Sequence, residues 1–412
     1  MLKLRNGLFT AVCALHLAAQ TTGSVQQLEA SARRHLAAKD AAGALADYQK
    51  LAQLVPSSGV YEDEIGFLLA ASNRPLEGIV HFQRATELNP KMAQSWYHLG
   101  VALWLAEKKD EALAALQKAV ALAPDHADYR FRLGTAYTDT GHYADAISEL
   151  ANAAKQLPKN AALWESLGLA YQRQRRFKEA RDAYRQALTI NPKNQAIRNS
   201  YGQVLVNAGD PDAGLREFRR ILQEAPDNEH VQVNVAYAYI GAGKYAEAVQ
   251  LLSAVIRVHP DLVSAHYDLG VAYKQSDDLP DAKTELERAV ELDPALAEAH
   301  YTLAMTYADM GDMPKAIEQL RAAVAQRPDY VDAWYRLGSI LKDQGDVDNA
   351  IDALRHSVAL DDTDAGAFNN LGLLLRRKGD LEGAKQAFAK AAAIRSAEEE
   401  RKEKKLGTSA SH

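Results

Sequence analysis

The residues that could support catalysis are few, and their spacing argues against a catalytic site. Gly241-Ala242-Gly243-Lys244 has some of the glycines of a phosphate-binding loop, but it lacks the required glycine spacing and the Ser or Thr that should follow the lysine. The chain contains neither a zinc-protease helix motif nor a nucleophile elbow. The sequence therefore predicts a protein without enzymatic activity, and it implies no nucleotide or other cofactor.

Two histidines offer the strongest candidate for metal binding. His266 and His300 are 34 residues apart and stand where other segments carry Trp96, Trp164 and Trp334. They could form a metal pair, but zinc needs three or four ligands and no others are evident. We favour two packed core histidines and predict no metal site.

The positions of these residues follow a repeat of 34 residues. Prolines recur at this interval, at Pro56, Pro90, Pro124, Pro158, Pro192, Pro226, Pro260, Pro294 and Pro328. Small residues recur in phase with them, at Gly66, Gly100, Gly134, Gly168, Gly202, Ala236, Gly270, Ala304, Gly338 and Gly372. A fixed period of this length predicts a stacked helical array.

Each repeat has the pattern of two helices joined by a short turn. Apolar residues recur every three or four positions, as they do on one face of a helix. Gly311-Asp312 and its equivalents mark the turn between the halves. Prolines just after such turns suit the first turn of a second helix, at Pro75, Pro211, Pro280 and Pro314.

This pattern resembles that of the tetratricopeptide repeat family. In the repeat 93–126 the resemblance rests on Trp96, Leu99, Gly100, Ala112 and the closing Pro124. It covers residues 25–398, with repeats starting at 25, 59, 93, 127, 161, 195, 229, 263, 297, 331 and 365. It implies an all-α fold, a right-handed superhelical solenoid of about eleven helix-turn-helix repeats. Glycine within a helix costs roughly 1 kcal/mol relative to alanine, so its recurrence indicates closely packed helices.

The net charge bears on the class of partner, and the single cysteine bears on disulfide formation and lipid attachment. The net charge is −6 and no basic arm is present, so the sequence does not predict nucleic-acid binding. Cys13 is the single cysteine and lies in the N-terminal apolar run, which excludes an internal disulfide. Val12 precedes it where a lipidated cysteine needs a small residue, so a lipoprotein is disfavoured.

Residues 1–24 have the layout of a secretory signal followed by a short linker. Lys3 and Arg5 precede an apolar run from Leu8 to Ala19, and polar residues follow. The run is too short to span a bilayer. We expect cleavage after Ala19 and export to the periplasm or the extracellular space. The alternative is a retained N-terminal cap helix, which would leave the protein in the cytoplasm.

Both ends of the array carry charged segments. Glu62-Asp63-Glu64 is interpreted as the polar face of a capping repeat. Residues 399–412 form a charged C-terminal tail, whose first part is expected to extend the last helix. The final segment from Leu406 to His412 is expected to be disordered.

The resemblance implies where a partner would bind, because first helices in this family line a concave face on which peptide segments commonly lie. It places an apolar, aromatic surface at Phe67, Tyr97, Val101, Trp104, Leu105 and Phe131. Such a cluster is a candidate hot spot for binding. Trp104 is its most distinctive member, and packing against a neighbouring helix is the competing interpretation.

Two further surfaces are implied on the same face. Amide side chains can hydrogen-bond an extended peptide backbone whatever its sequence, and they occur at Asn199, Gln203, Asn207 and Asn234. Tyrosines recur at Tyr267, Tyr301 and Tyr335. Because tyrosine is common at this position in the family, a generic surface is the competing interpretation there.

The leading hypothesis is a non-enzymatic scaffold or adaptor that binds a peptide segment or partner protein in its concave groove. A targeting or regulatory subunit of a separately encoded enzyme, such as a glycosyltransferase, is one alternative. A structural component of an envelope secretion or assembly complex is another. The Lys/Asn/Arg clamp with which chaperone co-factors of this family hold a C-terminal carboxylate is not found, because Arg132 and Arg336 lack the companion residues.

Overall fold

The computed structural model describes the backbone of residues 22–409 and the side chains of residues 22–401. Every regular element within residues 22–409 is an α-helix, which confirms the predicted all-α repeat fold. The helices divide into two compact units, Met1–Ala208 and Gly209–His412. The expected signal segment and its cleavage point after Ala19 lie outside the described residues.

The first unit consists, over its described residues, of consecutive helices that pack pairwise from α2 to α11. They are α1 (22–37), α2 (Ala41–Leu54), α3 (Gly59–Ala71), α4 (Pro75–Leu88), α5 (Ala93–Leu105), α6 (Lys109–Leu122), α7 (Ala127–Asp139), α8 (Tyr143–Ala154), α9 (Ala161–Arg173), α10 (Phe177–Ile190) and α11 (Gln195–Asn207). First helices of successive repeats also touch, as α3 does with α5 and α7 with α9. Their exposed faces therefore form a shared surface.

The second unit has the same arrangement, and consecutive helices pack pairwise throughout it. Its helices are α12 (Pro211–Glu224), α13 (Glu229–Gly241), α14 (Tyr245–Val258), α15 (Val263–Gln275), α16 (Leu279–Leu292), α17 (Ala297–Asp309), α18 (Met313–Gln326), α19 (Val331–Asp343), α20 (Val347–Leu360), α21 (Ala365–Lys378) and α22 (Leu381–Ser409). First helices again touch, with α15 in contact with both α13 and α17.

The in-phase glycines lie where two helices of one repeat approach most closely. A Cβ atom on Gly100 would stand 2.7 Å from Cγ of Leu116, and one on Gly270 would stand 2.6 Å from Cγ of Leu286. Both leucines are fully buried. The expectation of close helix packing at these positions is confirmed. The prolines after the turns also occupy the first two positions of their helices, at Pro75, Pro211, Pro280 and Pro314.

The turn inside each repeat contains one residue with left-handed backbone geometry. These residues are 34 positions apart, and six are glycines: Gly141, Gly209, Gly243, Gly311, Gly345 and Gly379. The others are Lys39, Asn73, Glu107, Arg175 and Asp277, with φ between 57° and 63°. Glycine adopts this geometry freely, whereas most other residues do so at a cost. Five repeats thus keep the left-handed turn with a residue other than glycine.

Both ends differ from the sequence-based expectations. Helix α1 already includes residues 22–24, which were assigned to a linker. Helix α22 continues to Ser409, so the expectation of disorder from Leu406 is wrong for residues 406–409. Since a helix can propagate from a packed segment at little cost per residue, the chain extends past its last core contact. None of the helices in the described part of the chain is long and apolar enough to cross a bilayer.

Candidate functional site

Helices α3, α5 and α7 bring aromatic and imidazole rings into one row. The Phe67 ring lies 5.4 Å from that of His98, and the Tyr97 ring lies 5.8 Å from His98. Tyr97 stacks on Tyr129 with 4.6 Å between ring centroids. Tyr129 stacks in turn on His126 at 3.7 Å. The structure thus joins the predicted Phe67 and Tyr97 through His98.

The predicted apolar side chains differ in how much surface they expose. Phe67 is 49% exposed and Leu105 is 64% exposed. Tyr97 and Val101 are partly buried. His98, Val101 and Leu105 follow one another on a single face of α5, at intervals of three and four residues. We call Phe67, Tyr97, His98, Val101 and Leu105 the aromatic surface.

Trp104 and Phe131 are partly buried and pack in part against core residues. Trp104 is partly buried and packs against two groups of core residues, one with Leu103 and the other with Leu116. The ammonium group of Lys109 lies 5.9 Å from the centroid of its ring. Phe131 packs against the next core group, which includes Leu150. Phe67 and Leu105 are therefore the most exposed of the predicted apolar side chains in this region.

A buried carboxylate on α3 contacts His98 of the aromatic surface. Asp63 is 2% exposed, and its Oδ2 lies 3.1 Å from Nδ1 of His98 and accepts a 3.3 Å hydrogen bond from Nε2 of Gln94. Burial raises the pKa of Glu64, and the Asp63 charge adds to this effect against an opposing one from His98. The interpretation of residues 62–64 as the polar outer face of a capping repeat is wrong for Asp63, which is buried. It stands 34 residues before Tyr97 and, like it, faces the neighbouring first helix.

The predicted amide residues lie on two helices. Asn199, Gln203 and Asn207 are spaced four residues apart and therefore share one face of α11. Asn234 lies on α13 in the second unit. All four are partly buried, and each already interacts with another part of the protein. Each unit thus carries its own amide groups on a first helix.

In the second unit, three tyrosines from neighbouring repeats interact with one another. Tyr301 on α17 lies 5.1 Å, between ring centroids, from Tyr330 in the turn before α19. Tyr267 on α15 interacts electrostatically with Tyr330. Asp268 follows Tyr267 on the same helix. We call Tyr267, Tyr301 and Tyr330 the tyrosine cluster.

The third predicted tyrosine stands one repeat further on. Tyr335 packs against the same core group as Tyr301 and Tyr330. Trp334 packs against this group as well. Its hydroxyl points toward the start of α21, where it would lie 3.7 Å from a Cβ atom placed on Gly366. Tyr335 therefore extends the row of tyrosines beyond the tyrosine cluster.

Asp268, Tyr267 and Tyr330 have displaced pKa values. Burial raises the pKa of Asp268 from 3.8 to about 7. Burial also raises the pKa of Tyr267, against a smaller opposing effect of its hydrogen bond with Thr302. Burial raises the pKa of Tyr330 as well, and the neighbouring Tyr267 and Tyr301 add to the increase. The surroundings of Asp268, Tyr267 and Tyr330 are therefore unfavourable for a negative charge without a counter-ion.

The second carboxylate near the cluster has a counter-ion. Glu298 forms an ion pair with Arg327, whose guanidinium also lies 4.7 Å from the Tyr330 ring centroid. Burial acts to raise the pKa of Glu298, but the Arg327 ion pair and a backbone hydrogen bond lower it overall. Of the two carboxylates Asp268 and Glu298, it is therefore Glu298 whose charge is neutralised by Arg327.

The two histidines considered for metal binding are core residues. His266 and His300 are each 6% exposed. Nδ1 of His266 lies 2.6 Å from Glu285, and its Nε2 lies 2.9 Å from the carbonyl oxygen of Pro260. His300 contacts Gln319 and the Pro294 carbonyl in the same way, at 2.7 and 3.1 Å. Both nitrogens of each ring are engaged within the protein, so the interpretation as packed core histidines is confirmed.

Comparison with protein families gives consistent matches over most of the chain. The model described as the TPR domain of cytochrome c-type biogenesis protein H matches residues 149–265. One tetratricopeptide repeat model matches residues 66–127, 301–365 and 335–399, and a second matches 103–169 and 239–306. Together these matches run without a gap from 66 to 399. The chain belongs to the tetratricopeptide repeat family.

Solved structures of other tetratricopeptide repeat proteins are similar to parts of this one. A crystal structure of MamA is 26% identical, with a TM-score of 0.38 over 40% of this chain and 97% of MamA. The human IFIT1 dimer with m7Gppp-AAAA is 17% identical, with a TM-score of 0.45 over 82% of this chain and 90% of IFIT1. A tetratricopeptide repeat protein from Parabacteroides merdae is 16% identical, with a TM-score of 0.48 over 60% of this chain and 98% of its own. Among curated proteins, no match was found.

Sequence reasoning on this tetratricopeptide repeat protein missed three residues of its candidate sites. Tyr330 lies just outside the first helix to which its partners belong, and Tyr129 is 8% exposed. Asp268 is also absent from the predicted sites. The signal that could have identified Asp268 is an acidic residue directly after Tyr267, at a position that carries His98 in the aromatic surface.

Proposed function

We propose that this tetratricopeptide repeat protein is a non-enzymatic scaffold that binds a segment of a partner protein on the faces of its first helices. The observation that carries the proposal is the aromatic surface of the first unit, where Phe67 and Leu105 expose about half or more of their area. Large apolar side chains grouped in this way favour burial by a partner, and aromatic residues dominate binding energy in protein interfaces.

The aromatic surface is suited to a peptide segment because its members are already positioned. His98 is held by the buried Asp63, and Tyr97 is held by stacking on Tyr129. Side chains that are fixed before binding lose little conformational entropy on binding. Phe67 and Leu105 then provide the apolar area that a partner covers.

The test is capture of partners by photo-crosslinking from an envelope extract. Phe67→Ser with Leu105→Ser removes exposed apolar area from the aromatic surface and leaves the packed Trp104 intact. The matched control is Leu76→Ser with Val80→Ser on α4, where the side chains are 67% and 63% exposed. We expect a species captured by the wild type and by the control to be lost with the first variant. Equal capture by all three proteins would contradict this site, and capture by none would contradict the scaffold.

We also propose that the protein is exported, with the amide residues and the tyrosines as further contact surfaces for the segment. Export rests on the charged start, the apolar run and the polar residues that follow it in residues 1–24. The intact mass of the protein purified from cells tests it. A mass that corresponds to cleavage after Ala19 is expected, and a retained N-terminal segment would contradict export.

A further inference from the structure

A cavity of about 890 Å³ lies in the first unit, between the turn that precedes α9 and the turn that precedes α11. These two turns and the helix ends beside them supply its lining, which consists of residues 156–162, Glu165, Ile190, Asn191, Asn194 and Ile197. Cavities of this volume commonly bind ligands, and it is large enough for a side chain with the adjoining backbone of a peptide. Lys159 and Asn191 are exposed at its rim, so the cavity is open to solvent.

Glu165 places a carboxylate in the lining of this cavity. The residue lies in the second turn of α9 and is partly buried. Among residues 22–401, none forms a hydrogen bond or an ion pair with its side chain. Burial raises the pKa of Glu165, as expected for a carboxyl that is partly removed from water without a partner. A cation inside the cavity would neutralise this charge.

The lysine that lines the same cavity does not provide this cation. Lys159 lies in the turn before α9, and it forms no ion pair with any of residues 22–401. An exposed ammonium group is strongly hydrated, and holding its flexible stem in one geometry costs conformational entropy. Glu165 therefore stays available to a cation that arrives from outside.

Three asparagines in the lining supply hydrogen-bond donors. The side-chain oxygens of Asn160 and Asn194 accept hydrogen bonds of 3.1 and 3.0 Å from the backbone N–H groups of Leu163 and Ile197. Because these oxygens are used within the protein, the NH₂ groups of both asparagines remain as donors. Asn191 adds an exposed amide. Such donors suit the carbonyl oxygens of a peptide backbone.

The cavity adjoins the amide face of α11. Asn199, Gln203 and Asn207 follow one another along this helix, and Asn194 and Ile197 at its start belong to the cavity lining. Side chains on a helix tilt toward its N-terminus, so Asn199 leans toward the end at which the cavity lies. A segment bound along α11 would therefore reach the cavity at the start of the helix.

We propose that this cavity binds a lysine or arginine side chain of the partner segment, with Glu165 as its counter-ion and the three asparagines as donors to the adjoining backbone carbonyls. This inference rests on the proposed scaffold function, because it assigns the cation to a bound segment. An apolar side chain would leave Glu165 unpaired, and an acidic one would be repelled. The cavity therefore selects segments by charge, whereas the aromatic surface selects apolar ones.

The test uses mixtures of short peptides with blocked ends, in which random uncharged residues flank a fixed central lysine, arginine, norleucine or glutamate. Binding of the full chain to each mixture is measured at neutral pH. Lysine and arginine mixtures should bind on the order of ten-fold more tightly than norleucine mixtures, since a charge-assisted hydrogen bond forms with an otherwise unpaired carboxylate. Glu165→Gln should remove this preference while leaving the binding of norleucine mixtures unchanged.

A second variant tests the amides. Asn191→Ala should weaken the binding of all four mixtures by a similar factor, because it removes contacts to the backbone that do not depend on the central side chain. Asn160 and Asn194 are unsuitable for this purpose, since each caps the start of a helix and its loss would destabilise the fold.

Two controls separate charge recognition from structural damage. Asp145→Asn removes one charge from the exposed first turn of α8, at the end of that helix remote from the cavity, and should leave the preference intact. Thermal unfolding should show Glu165→Gln to be at least as stable as the wild type, because the change removes an unpaired, partly buried charge.

The outcomes distinguish this inference from the scaffold function. Equal binding of norleucine and lysine mixtures by the wild type, or a preference that survives Glu165→Gln, would overturn the inference and leave the scaffold function standing. If the wild type binds none of the mixtures, the inference is also overturned, and capture from the envelope extract tests the scaffold function separately.

Discussion

Nε2 of His266 lies 2.9 Å from the carbonyl oxygen of Pro260, six residues earlier in the chain. The same relationship recurs along the array with different donors. The other pairs among the described residues are Trp96–Pro90, Arg130–Pro124, Trp164–Pro158, Arg198–Pro192, Gln232–Pro226, His300–Pro294 and Trp334–Pro328. In each pair a side chain of the first helix contacts the carbonyl oxygen of the proline in the preceding turn. What these side chains share is an N–H group that can donate a hydrogen bond to that oxygen.

This relationship predicts which substitutions His266 tolerates. His266→Ala should lower the free energy of unfolding by about 1–3 kcal/mol, because it leaves the Pro260 carbonyl without its donor and opens a cavity. His266→Trp should recover a large part of this loss, since an indole N–H donates to the equivalent carbonyl at Trp96. Urea unfolding followed by circular dichroism measures both. A tryptophan variant no more stable than the alanine variant would contradict the shared role of the donor.

The left-handed turn residues predict stabilising substitutions. Arg175 has φ of 57° and its side chain is exposed. Arg175→Gly should raise the free energy of unfolding by about 0.5–1 kcal/mol, because glycine adopts this geometry without strain. Gly311→Ala, at φ of 84°, should lower it by about 1 kcal/mol or more. The matched control is Arg173→Gly in helix α9, where the same change should destabilise. A loss of stability with Arg175→Gly would show that strain is not the controlling factor.

The close approach of Gly270 to Leu286 predicts overpacking. Gly270→Leu should lower the free energy of unfolding by about 1–3 kcal/mol, because the space beyond its Cα is filled by a fully buried side chain. Gly270→Ala should cost less, since Ala236 and Ala304 occupy equivalent positions. Combining Gly270→Leu with Leu286→Ala should be less destabilising than the sum of the two changes. If the effects of Gly270→Leu and Leu286→Ala on thermal unfolding were strictly additive, this would argue against direct contact between the two positions.

The raised pKa of Asp268 predicts a pH-dependent stability. Its folded pKa of about 7 exceeds the ordinary value of 3.8, so the penalty for ionisation is absent below about pH 4 and develops as the pH rises to 7. Asp268→Asn removes this penalty. It should stabilise the protein by about 1–3 kcal/mol at about pH 8 and have little effect at about pH 4. Melting temperatures of both proteins at the two pH values test this. A gain of equal size at both would contradict burial as the cause.

The fold was predictable because each repeat contains its own local signals. The spacing of apolar residues, the turn glycines and the prolines act within a repeat, so helix α5 begins at Ala93, the predicted start of its repeat, and Pro75 begins α4. The candidate sites were only partly predictable. Phe67 and Leu105 are exposed as a groove surface requires, but Trp104 packs in part against the core. Periodicity assigns a residue to a face of its helix and does not say how far a neighbour covers it.

The sequence by itself determined the repeat length, the alternation of helix and turn, and the positions at which helices must approach closely. These follow from interactions between residues that are near one another in the chain or equivalent in successive repeats. Only the tertiary structure decided that Asp63 is buried against His98, that burial raises the pKa of Asp268, and that Tyr330 lies beside Tyr301. The physical reason is that burial and charge pairing depend on side chains contributed by neighbouring repeats, whose identities differ along the array.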